Sequence, residues 1–242
     1  MLELKNLVFE VDDENGGKKR IIDGIDLKIE DDKFIVITGP NGSGKSTLAR
    51  LIMGIEKPTS GQILFDDTDI TELSISERAN LGISFAFQQP VRFKGLNVHD
   101  LLNIAAKKDL NIGDACAFLS NVGLCAKDYI SREVNNSLSG GELKRIEIAM
   151  IMARATRLSI FDEPEAGIDL WSFNNLIDVF EEMRNNIHGN IMIISHQERI
   201  LNVADEIVVI ADGKISKHGP KDEILPDLFG TMNAMVMCDG RR

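Results

Sequence analysis

The sequence predicts an α/β fold, in which strands and helices alternate along most of the chain. Short apolar runs of strand length, such as Phe34–Thr38 and Leu158–Phe161, alternate with longer segments whose apolar residues recur at helical spacing. A strand, a helix and a further strand in succession are typical of a parallel sheet. Alternating segments near the N-terminus and a long helical stretch in the middle depart from this pattern. They predict an antiparallel β subdomain and an inserted α-helical subdomain.

The first part of the chain is predicted to form strands. Leu2–Val11 and Ile21–Ile29 alternate apolar and polar residues and flank the turn-rich DDENGGKKR, which is typical of an antiparallel pair. GQILFDDTDI is predicted to form a hairpin that turns at Asp66–Thr68. Ile83–Phe87 and FIVIT at Phe34–Thr38 are continuous apolar runs, as expected for strands buried on both faces.

The middle of the chain is predicted to be helical from about Asn97 to Ala155, because VHDLLNIAAKK, IGDACAFLSNVG and GELKRIEIAMIMARA carry apolar residues at helical spacing. Helices are also predicted from about Ser46 to Met53, at Leu170–Arg184 and at about Glu198–Val203. The remaining predicted strands are Leu158–Phe161, Asn190–Ser195, Glu206–Ile210 and Lys214–Lys217. We expect one domain over residues 1–242, with a helical subdomain at 91–155 and the core and β subdomain at 1–90 and 156–242.

Composition and charge limit the function classes. The chain has 242 residues and a formal net charge of −11, from 27 basic and 38 acidic residues. Nucleic-acid binding depends on clustered Lys and Arg, so this balance argues against a broad nucleic-acid-binding face. No apolar run reaches the roughly 18–20 residues of a membrane-spanning helix, and MLELKNLVFEVDDE alternates like a strand rather than a signal peptide. We expect a cytoplasmic protein that binds no nucleic acid and does not insert into a membrane.

The three cysteines, Cys116, Cys125 and Cys238, lack the spacing of a zinc site. Reduced thiols are the expected state in a cytosolic protein. Cys238 is expected to be exposed because it lies near the polar C-terminus.

A phosphate-binding loop is predicted between FIVIT and the helix that follows. Residues 39–47, GPNGSGKST, fit the pattern G-x-x-x-x-G-K-[ST]. Glycines let the backbone wrap closely, so that successive N–H groups point at phosphate oxygens, and the helix N-terminus adds its dipole. Lys45 is predicted to contact the β- and γ-phosphates of ATP, and the Ser46 hydroxyl to bind Mg²⁺. The predicted ATP-binding residues here are Gly39, Pro40, Asn41, Gly42, Ser43, Gly44, Lys45, Ser46 and Thr47.

An acidic pair follows the predicted strand Leu158–Phe161. A carboxylate at the end of an apolar strand is costly to bury unless it is paired or faces a metal. We therefore predict that Asp162 holds Mg²⁺ through a water and that Glu163 is the general base for the attacking water. Taken alone, Asp-Glu-Pro after a strand is equally typical of a solvated loop. The phosphate loop favours the catalytic interpretation.

Further motifs resemble those of the ABC ATPases. LSGGE at residues 138–142 resembles the signature motif and opens a predicted helix, a second anion-binding helix N-terminus. Gln88 resembles the Q-loop glutamine, AGID at residues 166–169 the D-loop, and His196 the switch histidine. A lone histidine after a strand is more often structural, but these motifs follow the family's order. The resemblance implies that Gln88 also binds Mg²⁺, that Lys45, Gln88, Glu163 and His196 are catalytic, and that nucleotide contacts come from Leu138, Ser139, Gly140, Gly141, Glu142 and Asp169.

The resemblance also implies an architecture and an assembly. The fold would be a P-loop, RecA-like core with an antiparallel β subdomain and an α-helical subdomain. One chain needs only one phosphate-binding site for one ATP, and residues 138–142 would be a second. This predicts an ATP-dependent homodimer in which residues 138–142 of one subunit complete the ATP site of the other subunit. In the family, an aromatic residue of the N-terminal strand region usually stacks on the adenine of ATP. This sequence departs from that pattern. Val11 lies near that position and Phe9 two residues away, so an apolar contact with loose base selectivity is expected.

Within the family, the chain resembles the SufC-like ATPases of SUF iron–sulfur cluster assembly. The segments that carry the resemblance are FAFQQPVRFKGLNVHDLL, LSGGELKRIEIA, IFDEPEAGIDLWSF and SHQERIL. It implies a SufB-like scaffold protein as partner, moved by ATP-driven closure of two ATPase subunits. Val91–Leu102 is the candidate partner surface. For Leu96, Leu101 and Leu102 a helical core is an equally good interpretation, and contact is better expected at Val91, Arg92, Phe93 and Lys94.

Alternative functions use the same residues differently. The main alternative is the ATP-binding subunit of a membrane ABC transporter, whose membrane partner would occupy the same groove. A nucleic-acid repair ATPase of this superfamily usually carries long coiled-coil or zinc insertions, which the sequence lacks. A non-hydrolysing ATP sensor is disfavoured because Lys45, Asp162, Glu163 and His196 are all present.

Overall fold

The computed structural model describes residues 1–13, 16–168, 170–186 and 189–229. Ten strands are described, β1 Leu2–Asp12, β2 Lys18–Ile29, β3 Phe34–Thr38, β4 Ser60–Phe65, β5 Thr68–Asp69, β6 Ile83–Ala86, β7 Leu158–Asp162, β8 Asn190–Ile194, β9 Glu206–Ala211 and β10 Lys214–Pro220. The described helices are α1 Lys45–Met53, α2 Ile75–Asn80, α3 Val98–Ala106, α4 Ile112–Asn121, α5 Ala126–Tyr129, α6 Gly140–Arg154, α7 Leu170–Asn186 and α8 Glu198–Val203, and residues 221–229 are also helical.

The N-terminal strands form an antiparallel sheet with the order β2-β1-β4-β5. The predicted pairing of the first two strands is confirmed, with Leu4 opposite Leu27 and Val11 opposite Lys19. The predicted hairpin is also present, as β4 and β5 pair through Phe65 and Thr68. Apolar residues on one face of this sheet are buried, which explains the alternating sequence.

The second sheet has the order β10-β9-β3-β8-β7-β6 and is parallel except for the antiparallel β9–β10 pair. The central strand β3 is buried on both faces, as its continuous apolar sequence predicts. Phe34 and Val36 contact one hydrophobic cluster, which includes most of the helical segment. Ile35 and Ile37 contact the other, which includes α1 and the antiparallel sheet. The predicted α/β class with an added antiparallel sheet and a helical part is therefore confirmed.

The helical segment between β6 and β7 contains the three predicted helices, α3, α4 and α6, and a further short helix, α5. Helix α2 was not predicted, because six residues are too few to show a periodic apolar face. A capping box marks its start, in which Ser74 accepts a hydrogen bond from the N–H of Glu77 and the Glu77 carboxylate accepts one from Ser74. The strand expected at Ile83–Phe87 ends at Ala86, and Phe87 begins a loop.

Two sequence predictions fall on residues that lie outside the described ranges, the nucleotide contact of Asp169 and the exposure of Cys238. Cys116 and Cys125 are free thiols. In the part of the chain that the structure covers, no helix combines the length and the hydrophobicity needed to span a bilayer.

Candidate nucleotide-binding site

The predicted functional residues meet at one edge of the parallel sheet. The 39–47 loop follows β3, Gln88 follows β6, Glu163 follows β7 and His196 follows β8. Since these strands are parallel, their carboxyl ends lie at the same edge, which is where α/β sheets bind ligands. The topology thus brings together residues that are up to 157 positions apart in the chain.

The 39–47 loop requires glycine at two places. Gly39 has φ 136°, and a Cβ atom there would lie 2.0 Å from the carbonyl oxygen of Ile210 in β9. Gly44 has φ 102°, and its Cβ would lie 2.8 Å from the carbonyl oxygen of Ile21 in β2. The loop is therefore packed against both sheets, in a backbone conformation that other residues rarely adopt.

The loop leads directly into the N-terminus of α1. The helix N-cap, Gly44, has no side chain to accept from the first N–H groups. The Nζ of Lys45 donates to the carbonyl oxygens of Gly39 and Pro40, at 2.9 and 2.7 Å. Burial lowers the pKa of Lys45, and the nearby Glu163 and Asp162 oppose this effect. The Oγ of Ser43 is buried without a hydrogen-bond partner.

The carboxylate of Asp162 contacts the start of α1. The Ser46 hydroxyl donates to Oδ1 of Asp162 at 2.9 Å, and Asp162 is only 2% exposed. Burial raises the pKa of Asp162, and the hydrogen bond from Ser46 partly opposes the rise. A hydroxyl and a buried carboxylate side by side are hard oxygen donors of the kind that Mg²⁺ prefers, so the residues present fit this ion.

Glu163 and Gln88 form the second contact between predicted site residues. The Nε2 of Gln88 donates to Oε2 of Glu163 at 2.7 Å. Glu163 has φ 47°, unusual for a residue with a side chain. Its N–H donates to the carbonyl oxygen of Ile194 at 3.0 Å, which extends the pairing of β7 with β8 by one residue. The strained turn directs the two consecutive carboxylates to different partners, Ser46 and Gln88.

His196 is exposed just beyond the end of β8. The preceding residue, Ser195, is buried and donates from its hydroxyl to Oε1 of Glu165 at 2.5 Å. Burial raises the pKa of Glu165, while the hydrogen bond from Ser195 and the charge of His196 oppose the rise. The structure thus places His196 beside the segment that follows β7.

Residues 138–142 lie at the start of α6. Ser139 is the N-cap, its Oγ accepts from the Glu142 N–H at 3.2 Å, and the Glu142 carboxylate accepts from the Ser139 N–H at 2.6 Å. A hydrogen bond from Tyr129 is the main cause that lowers the pKa of Glu142 to about 2. Leu138 is buried, whereas Ser139 and Gly140 are exposed. A Cβ on Gly141 would lie 3.5 Å from the Gly167 carbonyl oxygen, so this helix start contacts the segment after β7.

Val11 pairs with Lys19 near the turn end of the β1–β2 hairpin and is 37% exposed. The same hairpin contacts the phosphate loop through Ile21. Val11 is therefore an exposed apolar side chain on the element that flanks the loop.

Sequence reasoning missed two residues of α6 that hold the loop carrying Gln88. The buried Lys144 donates from Nζ to the carbonyl oxygens of Phe87 and Gln88. The Glu147 carboxylate accepts from the Phe87 N–H at 3.0 Å, and burial raises its pKa to about 7. The one available indication was a Lys and a Glu three residues apart in the predicted helix. Lys144 and Glu147 therefore connect α6 to the loop that carries Gln88.

An apolar groove of about 300 Å³ lies between the α/β core and the helical segment, next to the Gln88 loop. The described residues expose eight large apolar side chains, and five of these line the groove, Ile75, Phe87, Val91, Phe93 and Ile104. Within the candidate partner surface, Leu101 and Leu102 are buried in the core and Leu96 packs against it. Val91 and Phe93 are exposed.

The fold and these motifs define an ATP-binding cassette. Residues 22–166 match the family model described as ABC transporter, and the chain belongs to this family. It binds and hydrolyses ATP. It is 39% identical over 216 residues to an uncharacterized ABC transporter ATP-binding protein of Methanocaldococcus jannaschii, covering 86% of each protein. It is 34% identical to the probable ATP-dependent transporter ycf16 of Antithamnion sp., covering 92% of each.

The fold likeness extends to solved structures. The ATP-binding cassette MJ0796, solved as a dimer in a post-hydrolysis state with ADP and Pi, superposes with a TM-score of 0.80 at 22% identity. The match covers 91% of this chain and 99% of that one. At this identity the likeness concerns the fold alone.

Proposed function

We propose that two copies of this chain close over ATP and that hydrolysis drives a conformational change in a SufB-like scaffold protein during iron–sulfur cluster assembly. The observation that carries the catalytic part is the pair of contacts Ser46–Asp162 and Gln88–Glu163 beside the phosphate loop. In this arrangement, Ser46 and Asp162 would bind the metal ion, and Gln88 would orient Glu163. We also propose that the chain is one domain, divided into 1–90 with 156–242 and 91–155.

The phosphates would be bound by residues 39–47. The unpaired N–H groups at the start of α1 and the Ser43 hydroxyl supply donors. Lys45 now bonds to two loop carbonyl oxygens, and it would exchange them for the β- and γ-phosphate oxygens when ATP binds. The adenine would lie against Val11, an apolar contact without stacking.

Glu163 would act as the general base and His196 would contact the γ-phosphate. Donation from Gln88 Nε2 orients the Glu163 carboxylate and leaves the amide oxygen of Gln88 available as a metal ligand. Ser46, Asp162 and Gln88 would hold Mg²⁺, which, when bound, neutralises charge on the β- and γ-phosphate oxygens.

The homodimer would be completed by residues 138–142 of one subunit at the phosphates of the other, with Asp169 nearby. The exposure of Ser139 and Gly140 at a helix N-terminus supports this proposal, because such a terminus attracts anions. Two ATP molecules would bind the closed pair better than the open pair, and hydrolysis would remove that preference.

The scaffold would bind in the apolar groove and along Val91–Lys94. A contiguous group of exposed apolar side chains on a chain of net charge −11 marks a protein interaction site. Because Glu147 lines this groove and, together with the buried Lys144, holds the Gln88 loop, partner movement there would reach Gln88 and Glu163.

A matched pair of variants tests this surface. Ile104, 61% exposed, lines the groove, whereas Ile112, 68% exposed, does not. Tagged wild-type chain, Ile104→Asp and Ile112→Asp are each used to isolate partners from the native cells, and the bound proteins are identified by mass spectrometry. We expect wild type and Ile112→Asp to retain a SufB-like protein and Ile104→Asp to lose it. Equal recovery with both variants would contradict the groove as binding site.

The ATP-binding subunit of a membrane transporter is the second candidate. Its support is that the Methanocaldococcus relative and ycf16 are both named as transporter proteins. The same isolation distinguishes the two functions. If the wild-type chain recovers an integral membrane protein and Ile104→Asp does not, the partner is a transporter subunit and not a scaffold protein. The catalytic proposal would be unaffected.

A further inference from the structure

Glu165 lies two residues after Glu163, and the catalytic motifs assign it no role. Its Oε1 accepts the hydrogen bond from the Ser195 hydroxyl at 2.5 Å. The same hydroxyl oxygen accepts from the Gln197 N–H at 3.0 Å. These contacts tie the segment after β7 to both sides of His196, since Ser195 precedes that residue and Gln197 follows it.

The second carboxylate oxygen of Glu165 is screened from solvent and has no hydrogen-bond partner. An unpaired buried oxygen of this kind is costly. His196 and Lys144 act on Glu165 with opposite charge and Glu163 with like charge. Lys144 already donates to Phe87 and Gln88, whereas nothing in the described residues is bonded to the His196 ring. His196, which follows Ser195 and acts electrostatically on Glu165, therefore has a ring N–H to offer to Oε2.

We propose that Glu165 is a positioning residue for His196. In the closed, nucleotide-bound dimer its Oε2 accepts a hydrogen bond from one ring nitrogen of His196, so that the other ring nitrogen points at the γ-phosphate. The inference rests on the role of His196 in the proposed function.

The physical basis is the geometry of imidazole. Its two nitrogens lie on opposite sides of the ring, so a bond to one sets the direction and the tautomer of the other. Carboxylates orient histidines in this way in metal sites and in hydrolase triads. Without such a bond, the exposed ring of His196 would have to lose its rotational freedom at each turnover.

The first measurement is steady-state ATP turnover. Glu165→Gln keeps the shape of the side chain and removes its charge. We expect kcat to fall on the order of tenfold, the range for losing a residue that orients a functional histidine. KM for ATP should change less than about twofold, because the phosphate loop holds the nucleotide. The matched control is Glu198→Gln, an exposed carboxylate two residues after His196, which should leave kcat unchanged.

A double-mutant cycle separates positioning from general structural damage. If Glu165 acts through His196, Glu165→Gln should have no further effect on kcat in a His196→Ala background. An equal loss of kcat in both backgrounds would overturn the proposal. If His196→Ala alone leaves kcat unchanged, the assigned role of His196 fails instead, and the next measurement decides the pairing.

That measurement is the ring ¹⁵N NMR spectrum of His196 with Mg²⁺ and the non-hydrolysable analogue AMP-PNP. We expect one tautomer in the wild type and a mixture like that of free histidine in Glu165→Gln. His196 signals that are the same in both proteins would overturn the proposal.

Discussion

Replacement of Arg78 by Met should destabilise the fold without altering the chemistry. Arg78 is 1% exposed and donates four hydrogen bonds to backbone carbonyl oxygens. Two go to Leu51 and Ile52 in the last turn of α1, at 2.6 and 2.9 Å, and the Leu51 carbonyl oxygen also accepts from the Gly54 N–H at 3.1 Å. The others go to Leu73 and Thr71, at 3.0 and 2.7 Å.

The magnitude follows from these four contacts. Met retains the apolar stem but supplies no donor, so four buried or partly buried hydrogen bonds are lost, and of the four carbonyl groups Leu51 keeps a bond from Gly54. At about 1 kcal/mol for each bond, the free energy of unfolding should fall by about 4 kcal/mol. For a chain of this length that lowers Tm by about 8–16 °C.

Urea unfolding followed by circular dichroism measures the effect. We expect a lower midpoint at an unchanged m value, and kcat for ATP unchanged well below Tm, because the site residues Lys45 and Ser46 lie at the opposite end of α1. Arg20→Met is the control, since it removes the same group from an exposed pair with Glu10 and Asp23 and should have a much smaller effect. Equal stability of the Arg78 and Arg20 variants would refute the reasoning.

Three further outcomes are expected. Glu163→Gln should retain ATP binding by fluorescence titration and lower kcat by about 100-fold or more, and normal turnover would exclude Glu163 as the base. Ser139→Arg should abolish ATP-dependent dimers in sedimentation velocity while the monomer still binds nucleotide; a normal dimer would argue against the shared site. Burial raises the pKa of Glu147 to about 7, so the folded chain keeps this proton to higher pH than the unfolded chain, and the unfolding free energy falls as pH rises from about 4.5 to 7. Glu147→Gln should remove up to about 3 kcal/mol of that fall in urea titrations at pH 5 and 8, and an identical pH dependence would contradict it.

Sequence alone predicted the elements whose cause is local. The phosphate loop depends on glycines at fixed spacing between a strand and a helix, and the alternation in Leu2–Asp12 depends on burial of one face. By contrast, helix α2 was missed because it is short. The left-handed conformation of Glu163 was also missed, since no neighbouring residue in the sequence requires it.

The partners of the site residues could not be predicted from the sequence. Nothing in the pattern of α6 shows that Lys144 and Glu147 hold the Gln88 loop, because the contact joins residues about 60 positions apart. The burial of Glu165 against Ser195 has the same origin, as two parallel strands end side by side. Likewise, helical periodicity left open whether Leu101 and Leu102 are core or surface, and only packing decides that they are core.

The sequence by itself therefore determined the α/β class, the phosphate loop and the acidic pair after β7, because spacing within one segment governs each of them. Only the tertiary structure decided which side chain meets which at the sheet edge, how the Gln88 loop is held, and where the exposed apolar side chains gather. The physical reason is that burial, hydrogen bonding and charge act between atoms that are close in space, whatever their separation along the chain.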